Sequence, residues 1–307
     1  MKRMVIVYSP NSARFGEVDK KVIQKARKLR GWMVGKFEVR EVPLIENAKE
    51  LAKIIRKDDL VLSAGGDGTA AMVVNAIMKS GKMATMAAMS FGNFNDFVET
   101  LGEMSFEKIV RKFEEGRYAE FYPMEVKVNG EHYFYSRLYF TVGMMAEGAG
   151  VMKRPKVRRK LKKTRNRMAF SARKMFGWYM KNKWRKDLLP SDLKIEGEQV
   201  VKGVTDYVAM NGDSMAGLIP GGLWYRAPRQ FWSGVMRNRS LLRMFVKFVK
   251  AMEGELPGGE SVGDVLSFGR ACEVWVHTEG EGERLKGVRE IEVRKSGESL
   301  RVICSCI

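Results

Sequence analysis

The first 118 residues alternate short apolar runs with segments in which apolar residues return every three or four positions. Short apolar runs predict buried strands, and a spacing of three to four predicts helices with one buried face. Strands that alternate with helices form a parallel sheet covered by helices, which predicts an α/β domain over residues 1–118. We predict strands at 3–8, 36–42, 60–64 and 83–88, and helices at 17–30, 46–56, 69–78 and 106–113.

After residue 118 the pattern changes to an alternation of apolar and polar residues in steps of two, which is typical of half-buried strands. It predicts an all-β, antiparallel sandwich over residues 119–298, interrupted by a basic segment at about 152–187. A last apolar run at 300–304 predicts a final strand. The alternation recurs at 125–128, 133–140, 193–195, 204–210, 271–277 and 291–293.

Composition narrows the class of protein. The chain has 307 residues, 45% of them apolar and 30% charged, which is enough for one large or two medium cores. No apolar run approaches the roughly 18 to 20 residues that span a bilayer, and the first residues have the pattern of a strand and not of a signal peptide. Three cysteines and two histidines are too few for a disulfide framework or a His/Cys metal site. We therefore expect reduced cysteines in a cytoplasmic protein.

The net charge of +19 is concentrated in two parts of the chain. Residues 151–186 contain sixteen lysines and arginines and no acid, and residues 214–252 contain seven more without an acid. Such segments favour a polyanionic partner, either a phospholipid surface or a nucleic acid, and a solvated basic face is the plain alternative. Residues 240–252 have the spacing of a helix that lies in the headgroup layer or packs on the sandwich. The candidate membrane-binding residues are cations and tryptophans: Arg158, Arg159, Lys160, Lys162, Lys163, Trp178, Trp184, Arg243 and Lys247.

A glycine-rich turn follows the third predicted strand: Gly65-Gly66-Asp67-Gly68-Thr69. Glycines let the main chain come close to a ligand. The N–H groups of such a turn, with the positive end of the following helix, form a cradle for phosphate groups. Thr69 is placed to cap the helix or bind a phosphate oxygen, and the Asp67 carboxylate to hold Mg²⁺ or polarise an acceptor hydroxyl. A tight turn with an Asx cap is the purely structural alternative.

Five motifs in a fixed order resemble the diacylglycerol kinase catalytic-domain family, which includes soluble bacterial lipid kinases, sphingosine kinases and ceramide kinases. Ser9-Pro10-Asn11-Ser12 resembles the family's nucleotide loop, and GGDGT, with Asn75 on the helix behind it, resembles its signature. Gly92-Asn93-Phe94-Asn95-Asp96-Phe97 resembles its GTxNDF motif. Residues 141–147 resemble its Gly-Phe-x-Ala-Glu segment, and residues 276–281 its Asp-Gly-Glu motif.

The resemblance implies two domains with the nucleotide between them, a helical segment in the basic region 152–187, and a last strand, about 299–307, that returns to the first domain. It implies ATP and Mg²⁺ as cofactors. It also implies that four residues serve the acceptor side or the structure of the motifs: Asn75, Asn95, Asp96 and Glu281. The implied nucleotide site consists of Ser9, Asn11, Ser12, Gly65, Gly66, Asp67, Gly68, Thr69, Gly92 and Asn93.

The chain departs from the family at three places. Glu279 stands where the family has the aspartate proposed as general base, and we expect this glutamate to take the proton of the acceptor hydroxyl. Asn93 replaces a threonine on the nucleotide side. Residues 232–234, Trp-Ser-Gly, replace an Asp-Asp-Gly motif that helps to bind a structural Mg²⁺, and Asp213 is the substitute ligand to consider.

The sequence thus predicts a kinase that transfers a phosphoryl group from ATP to a lipid hydroxyl at the inner face of an anionic membrane. Diacylglycerol is the default acceptor, with phosphatidylglycerol, a polyprenol or a sphingoid base as alternatives. Nucleic acid is not the expected partner, and a homodimer is left open. Three other functions stay open: an NAD kinase, which shares the GGDG loop; a catalytically weakened membrane-binding protein; and a nucleic-acid-binding protein on the same fold.

Overall fold

Two large sheets organise the chain in the computed structural model. The residues that the structure describes are 2–8, 15–25, 37–43, 48–92, 95–154, 156–157, 159–160, 164, 167–182, 193–195, 204–212, 214–215, 219–220, 229–237, 258–278 and 281–306.

Six described strands form the first sheet: β1 (Lys2–Tyr8), β2 (Phe37–Pro43), β3 (Leu60–Gly65), β4 (Thr85–Ser90), β5 (Ala119–Phe121) and β17 (Leu300–Val302). Their order is β2-β1-β3-β4-β17-β5, and only β5 runs antiparallel to its neighbour. Every side chain of β3 is buried, because helices cover both faces of the sheet.

The helices of this domain lie where apolar stripes meet the sheet. They are α1 (Phe15–Val18), which continues into a π-helical turn (Asp19–Ile23), α2 (Ala48–Ile54), α3 (Asp67–Ser80), α4 (Asp96–Leu101) and α5 (Phe106–Glu114). On one face, Val5 and Val7 of β1 share an apolar cluster with α3. On the other face, Met4 and Ile6 share a cluster with α5. The predicted α/β domain with a parallel sheet is confirmed.

The end of the chain returns to the first sheet. β17 pairs in parallel with β4 and antiparallel with β5, so the predicted return of the last strand is confirmed. β5 begins one residue after the predicted boundary at residue 118, and it belongs to the first sheet. The exact domain boundaries stay a prediction.

Nine described strands form the second sheet, whose neighbours are all antiparallel. They are β6 (Met124–Val128), β7 (Glu131–Ser136), β8 (Tyr139–Gly143), β9 (Leu193–Ile195), β10 (Val204–Met210), β13 (Phe231–Arg237), β14 (Gly259–Ser261), β15 (Gly263–Thr278) and β16 (Glu281–Lys295). Two short strands, β11 (Ser214–Met215) and β12 (Ile219–Pro220), pair with each other.

The second sheet encloses its own apolar cluster, which includes Phe140, Tyr207, Phe231 and Ile291. The predicted separate antiparallel domain is therefore confirmed. Its strands are joined into one hydrogen-bonded sheet, because the long β15 pairs with β9 near one end and with β8 near the other.

Two local predictions were wrong, and one helix was not predicted. The run 133–140, predicted as one strand, breaks at Arg137 and Leu138 into β7 and β8. Helix α4 had no counterpart in the apolar pattern, because its six residues are too few to show a helical period. Cys304 and Cys306, expected to be reduced, are joined by a disulfide.

The described part of the basic segment is helical, as predicted. Helix α6 (Met144–Lys153) packs against β15 and β16, and α7 (Arg167–Asn182) packs against α6. Among the described residues, no helix has both the length and the apolar character needed to cross a membrane.

Candidate functional site

The turn after β3 presents an open helix end. Gly66 precedes α3 in an extended conformation (φ −100°, ψ −169°), and no described side chain caps the helix. Gly66 and Asp67 are half-buried and Gly68 is exposed, so the first N–H groups of a 14-residue helix lie at the carboxyl edge of the sheet. Free N–H groups and the positive end of the helix dipole attract anions, phosphates among them.

Gly65 is required by close packing within this turn. A β-carbon at Gly65 would lie 2.3 Å from Oγ1 of Thr69, whose side chain is buried. The Gly65 carbonyl accepts a hydrogen bond from the N–H of Phe91 at 3.0 Å, which fixes the end of β3 against the next loop. Thr69 therefore supports the turn and does not cap α3. Its predicted bond to a phosphate oxygen stays a prediction.

The Asp67 carboxylate joins two helices. Its Oδ2 accepts from the N–H of Asp96 and its Oδ1 from the N–H of Phe97, each at 3.2 Å. These are the first two residues of α4. The side chain of Asp67, itself the first residue of α3, thus caps the helix beside it.

Arg137 binds the same aspartate from the second domain. Its Nη2 donates to the Asp67 carbonyl at 2.7 Å and lies 3.2 Å from Oδ1. The guanidinium also stacks on the ring of Phe97, 4.6 Å from the centroid. Arg137 is completely buried. Sequence reasoning missed it; its one signal was a charged residue inside an apolar run.

This geometry does not fit Asp67 as a Mg²⁺ ligand. Both carboxylate oxygens already accept N–H groups, and a guanidinium neutralises the charge that would attract the cation. Among the described residues, no group of three or more His, Cys, Asp or Glu side chains could hold a metal ion. A catalytic role for Asp67 stays a prediction.

In the GTxNDF-like motif, the described residues on either side of positions 93 and 94 bond to each other. Oδ1 of Asn95 accepts from the Gly92 N–H at 3.1 Å, and its Nδ2 donates to the Gly92 carbonyl at 3.3 Å. Asp96 is buried and begins α4. Asn95 thus holds the described ends of this motif together, and the predicted roles of Asn95 and Asp96 stay predictions.

Asn75 docks the two domains. Its Nδ2 donates to the carbonyls of Ala71 and Tyr135 at 2.9 and 2.8 Å, and its Oδ1 accepts from the Tyr135 N–H at 2.8 Å. The side chain therefore satisfies both backbone groups of a residue on β7. This explains an amide on the apolar face of α3.

The motif at residues 141–147 builds the start of α6. Gly143 has φ +112°, and a β-carbon there would lie 2.1 Å from the Thr205 carbonyl oxygen. The buried Asp206 accepts from the N–H of Met145 at 2.6 Å and so caps the helix. Burial raises the pKa of this carboxyl to about 6. Gly143 of this motif is therefore required by its close packing against the backbone of Thr205.

Several predicted residues lie outside the described residues: Ser9, Asn11, Ser12, Asn93, Asp213 and Glu279. The backbone of Glu281 is described, and it pairs with Thr278 across the β15–β16 hairpin. Thr278 also pairs with Phe140 of β8, three residues after Arg137. The described end of this hairpin thus lies beside β8, which begins two residues after Arg137. Arg137 in turn contacts the glycine turn at residues 65–69, which we call the phosphate turn.

The predicted membrane-binding residues are described only in part. Arg159 and Lys160 are exposed, and Trp178 is half-buried on α7. Outside the described residues lie Arg158, Lys162, Lys163, Trp184, Arg243 and Lys247.

The phosphate turn and its surroundings fall within one recognised domain. Residues 3–125 match the sequence model of the diacylglycerol kinase catalytic domain. The resemblance predicted from the motifs is thereby confirmed. Over 106 residues the chain is 35% identical to a diacylglycerol kinase of Bacillus subtilis (strain 168). That match covers 33% of the chain and 34% of the relative, about a third of each.

The whole chain shares its fold with solved kinases. A diacylglycerol kinase from Bacillus anthracis str. Sterne superposes with a TM-score of 0.64 at 15% identity, over 99% of this chain and 97% of that one. An NAD kinase from Archaeoglobus fulgidus, solved in complex with ATP, gives a TM-score of 0.52 at 12% identity, over 98% and 93% of the two chains. At these identities the likeness concerns the fold alone, which both share with this chain.

Proposed function

We propose that the protein transfers the γ-phosphoryl group of ATP to the hydroxyl of a lipid. The observation that carries the proposal is the open amino end of α3. This helix end follows a glycine turn, and Arg137 of the second domain donates a hydrogen bond to Asp67 there. The match to the diacylglycerol kinase catalytic domain supports a kinase reaction and favours a lipid acceptor. Diacylglycerol is the first acceptor to test.

Phosphoryl transfer depends mainly on positioning and on neutralising charge. In the proposed reaction the N–H groups at the start of α3 bind phosphate oxygens. The acceptor oxygen forms a bond to the γ-phosphorus while the bond from that phosphorus to the β–γ bridging oxygen breaks. The acceptor proton passes to a carboxylate, for which Glu279 is our candidate. Mg²⁺ bound to ATP would neutralise phosphate charge, and Asp67 is not among its ligands in this proposal.

The first experiment is transfer of labelled γ-phosphate from ATP in the presence of Mg²⁺. Vesicles of phosphatidylcholine and phosphatidylserine, neither of which has a free hydroxyl, carry diacylglycerol in one tube and none in the control. Label in the organic phase only with diacylglycerol would support the proposal. Vesicle binding without transfer to diacylglycerol, or to lipids of a total extract, would overturn it in favour of a membrane-binding protein.

An NAD kinase is the second candidate, favoured by the likeness to the archaeal NAD kinase fold. A parallel tube with NAD and no lipid tests it. Label on NAD and none in lipid would replace the lipid acceptor by a nucleotide.

Glu279→Gln tests the proposed base. We expect kcat to fall by about 10² to 10⁴-fold, the usual contribution of a general base, with little change in the affinity for ATP. Glu260→Gln, which changes an exposed acid on the edge strand β14, is the control. Full turnover by Glu279→Gln would exclude this glutamate as the base.

We further propose that α7 holds the enzyme at an anionic membrane, peripherally and on the cytoplasmic side. Five residues at helical spacing form the basic face of α7: Phe170, Arg173, Lys174, Trp178 and Lys181. The three cations are exposed and the two aromatic residues are half-buried. None of the three cations forms an ion pair with a described residue. Cations beside aromatic rings suit the headgroup layer, where each cation contributes about 1 kcal/mol.

Charge reversal tests this face. The triple change of Arg173, Lys174 and Lys181 to Glu should lower binding to phosphatidylserine vesicles by at least about tenfold, given that magnitude for each cation. The control changes three exposed cations spread over the surface, Lys20, Lys57 and Arg289, and so alters net charge equally. Equal losses would mean that net charge and not α7 directs binding. Competition by oligonucleotides would point to nucleic acid instead.

A further inference from the structure

We propose that Arg137 is a positioning residue that sets the phosphate turn from the second domain. Through Asp67 it holds the amino ends of α3 and α4 in the arrangement that binds the nucleotide phosphates. The proposal rests on the proposed kinase function and deepens it, because it names what orders the turn.

Nη2 of Arg137 makes two contacts with a single residue, Asp67. Nη2 donates to the Asp67 carbonyl at 2.7 Å and contacts its Oδ1 at 3.2 Å. The carbonyl belongs to the first turn of α3, and the carboxylate caps α4 through the N–H groups of Asp96 and Phe97. One guanidinium therefore fixes the relative position of two helix ends.

The planar guanidinium of Arg137 can contact Asp67 and Phe97 at the same time. Its Nη2 bonds Asp67 while its central carbon lies over the ring of Phe97, 4.6 Å from the centroid. An ammonium group is a point charge on a flexible stem, so a lysine can keep the charge but not both contacts. Because Arg137 is completely buried, the geometry is set by packing and not by solvent.

Arg137 is anchored in the second domain by a polar network. Its carbonyl accepts from Nδ2 of Asn211 at 2.8 Å, and the same Nδ2 donates to the Tyr122 carbonyl at 3.0 Å. Lys295 donates to Oδ1 of Asn211, and to the Tyr122 carbonyl at 2.8 Å.

Two of these residues lie where the chain passes between the sheets. Tyr122 lies between β5 and β6, and Lys295 ends β16 before the chain returns to β17. The network thus ties the segments that join the domains to the residue that holds the phosphate turn. A change in domain orientation would move the Asp67 peptide, so the domain junction and the turn are mechanically coupled.

A second buried pair provides a matched control. Arg3 and Asp59 form a buried salt bridge, and Nε of Arg3 donates to Oδ1 of Asp59 at 2.9 Å. Arg3 lies near the start of β1, and Asp59 directly precedes β3. Because β1 and β3 are parallel, this pair lies at the amino edge of the sheet, opposite the phosphate turn. Loss of either pair costs stability, but only Arg137 acts on the site.

The test compares Arg137→Met, Arg137→Lys and Arg3→Met by urea unfolding and by calorimetric titration with Mg·ATP. We expect both methionine variants to lose stability. We expect ATP affinity to fall at least tenfold, about 1.4 kcal/mol, in Arg137→Met, and to stay within twofold of wild type in Arg3→Met. Arg137→Lys should recover stability in part but not ATP affinity. If Arg137→Met fails to fold, Arg137→Lys decides.

Three outcomes would overturn the proposal. Unchanged ATP affinity in folded Arg137→Met or Arg137→Lys would leave Arg137 a purely structural residue. An equal loss of affinity in Arg3→Met would show that the effect is one of general stability. Absence of ATP binding by the wild-type protein would remove the proposed function, and the positioning role with it. ATP binding without lipid phosphorylation would overturn the lipid acceptor alone.

Discussion

At the scale of single residues, the shape of the site depends on the missing side chain of Gly65 and on the hydrogen bonds of the Asp67 carboxylate. Gly65 contributes the space that Thr69 occupies, and Asp67 contributes two acceptors to a neighbouring helix. Neither effect is a contact with a ligand. The phosphate turn is therefore shaped by packing within the protein, which reduces the ordering that binding of a ligand would impose.

Gly65→Ala should damage the turn. The added methyl group would lie 2.3 Å from Oγ1 and 2.7 Å from the β-carbon of Thr69. Overpacking of this kind costs about 1 to 3 kcal/mol, so we expect that loss in urea unfolding, together with weaker ATP binding. The control is Gly68→Ala, where a β-carbon meets nothing within 4 Å. Equal stability of the two variants would contradict this account.

Asp206→Asn should reveal the raised pKa of this carboxyl. Its pKa is about 6 in the fold against 3.8 for the free group. Between these values the folded protein binds the additional proton, so the contribution of Asp206 to stability grows as the pH falls. The free energy of unfolding of wild type, relative to Asp206→Asn, should increase by about 2 kcal/mol from pH 7 to pH 4. Urea unfolding at several pH values measures it, and a difference independent of pH would contradict a buried, titrating carboxyl.

At the scale of elements, α3 has two functions, one at its amino end and one near its middle. Its amino end is open towards the proposed nucleotide, and Asn75 in its middle docks it on β7 of the second domain. A single rigid helix therefore connects the phosphate turn with the domain interface. The break between β7 and β8 also connects the two domains, because Arg137 lies in this break and donates a hydrogen bond to the Asp67 carbonyl.

Asn75→Leu should loosen the domain interface. The change leaves both backbone groups of Tyr135 without the partner that they have now, and each buried polar group left unpaired costs about 1 to 3 kcal/mol. We expect the free energy of unfolding to fall by about 2 to 6 kcal/mol.

Asn129→Gly is the matched control for this change. Asn129 also bonds backbone groups of a neighbouring strand, but it is exposed and lies within one domain. Glycine tolerates its positive φ of 52°. If Asn129→Gly lowers the free energy of unfolding as much as Asn75→Leu does, the position of Asn75 at the domain interface contributes nothing beyond its side-chain hydrogen bonds.

At the scale of the whole molecule, two domains share one apolar cluster and one polar network. Leu138 and Met210 of the second domain pack with Phe97 and Phe121 of the first. The network of Lys295, Asn211 and Tyr122 lies at the same junction. The domains are thus coupled by apolar and polar contacts together.

Lys295→Met should change how stability depends on pH. Burial lowers the pKa of this lysine to about 7 from 10.5. Between these values the unfolded chain holds a proton that the folded protein has released, so the stability of wild type rises with pH. Relative to Lys295→Met, the free energy of unfolding should rise by about 1 kcal/mol for each pH unit between 7 and 10. Urea unfolding at each pH measures the slope, and a flat difference would mean that Lys295 stays charged in the fold.

Much of this architecture was predictable from the sequence. The α/β domain, the antiparallel domain and the phosphate turn followed from apolar spacing and from glycine chemistry, which are local properties of the chain. The return of the last strand and the match to the diacylglycerol kinase catalytic domain followed from motif resemblance. Arg137 and α4 could not be predicted, because a lone arginine in an apolar run and a six-residue helix have no distinctive local pattern.

Local patterns were enough to predict most strands and helices, the glycine turn after β3 and the accumulation of positive charge, since each depends on residues close together in the chain. The contacts of Asp67 and Asn75, in contrast, depend on how the chain folds. Both bond to groups brought near by folding: Arg137 lies 70 residues from Asp67, and Tyr135 lies 60 residues from Asn75. A carboxylate that looks like a metal ligand in sequence becomes a helix cap once an arginine from another domain neutralises it.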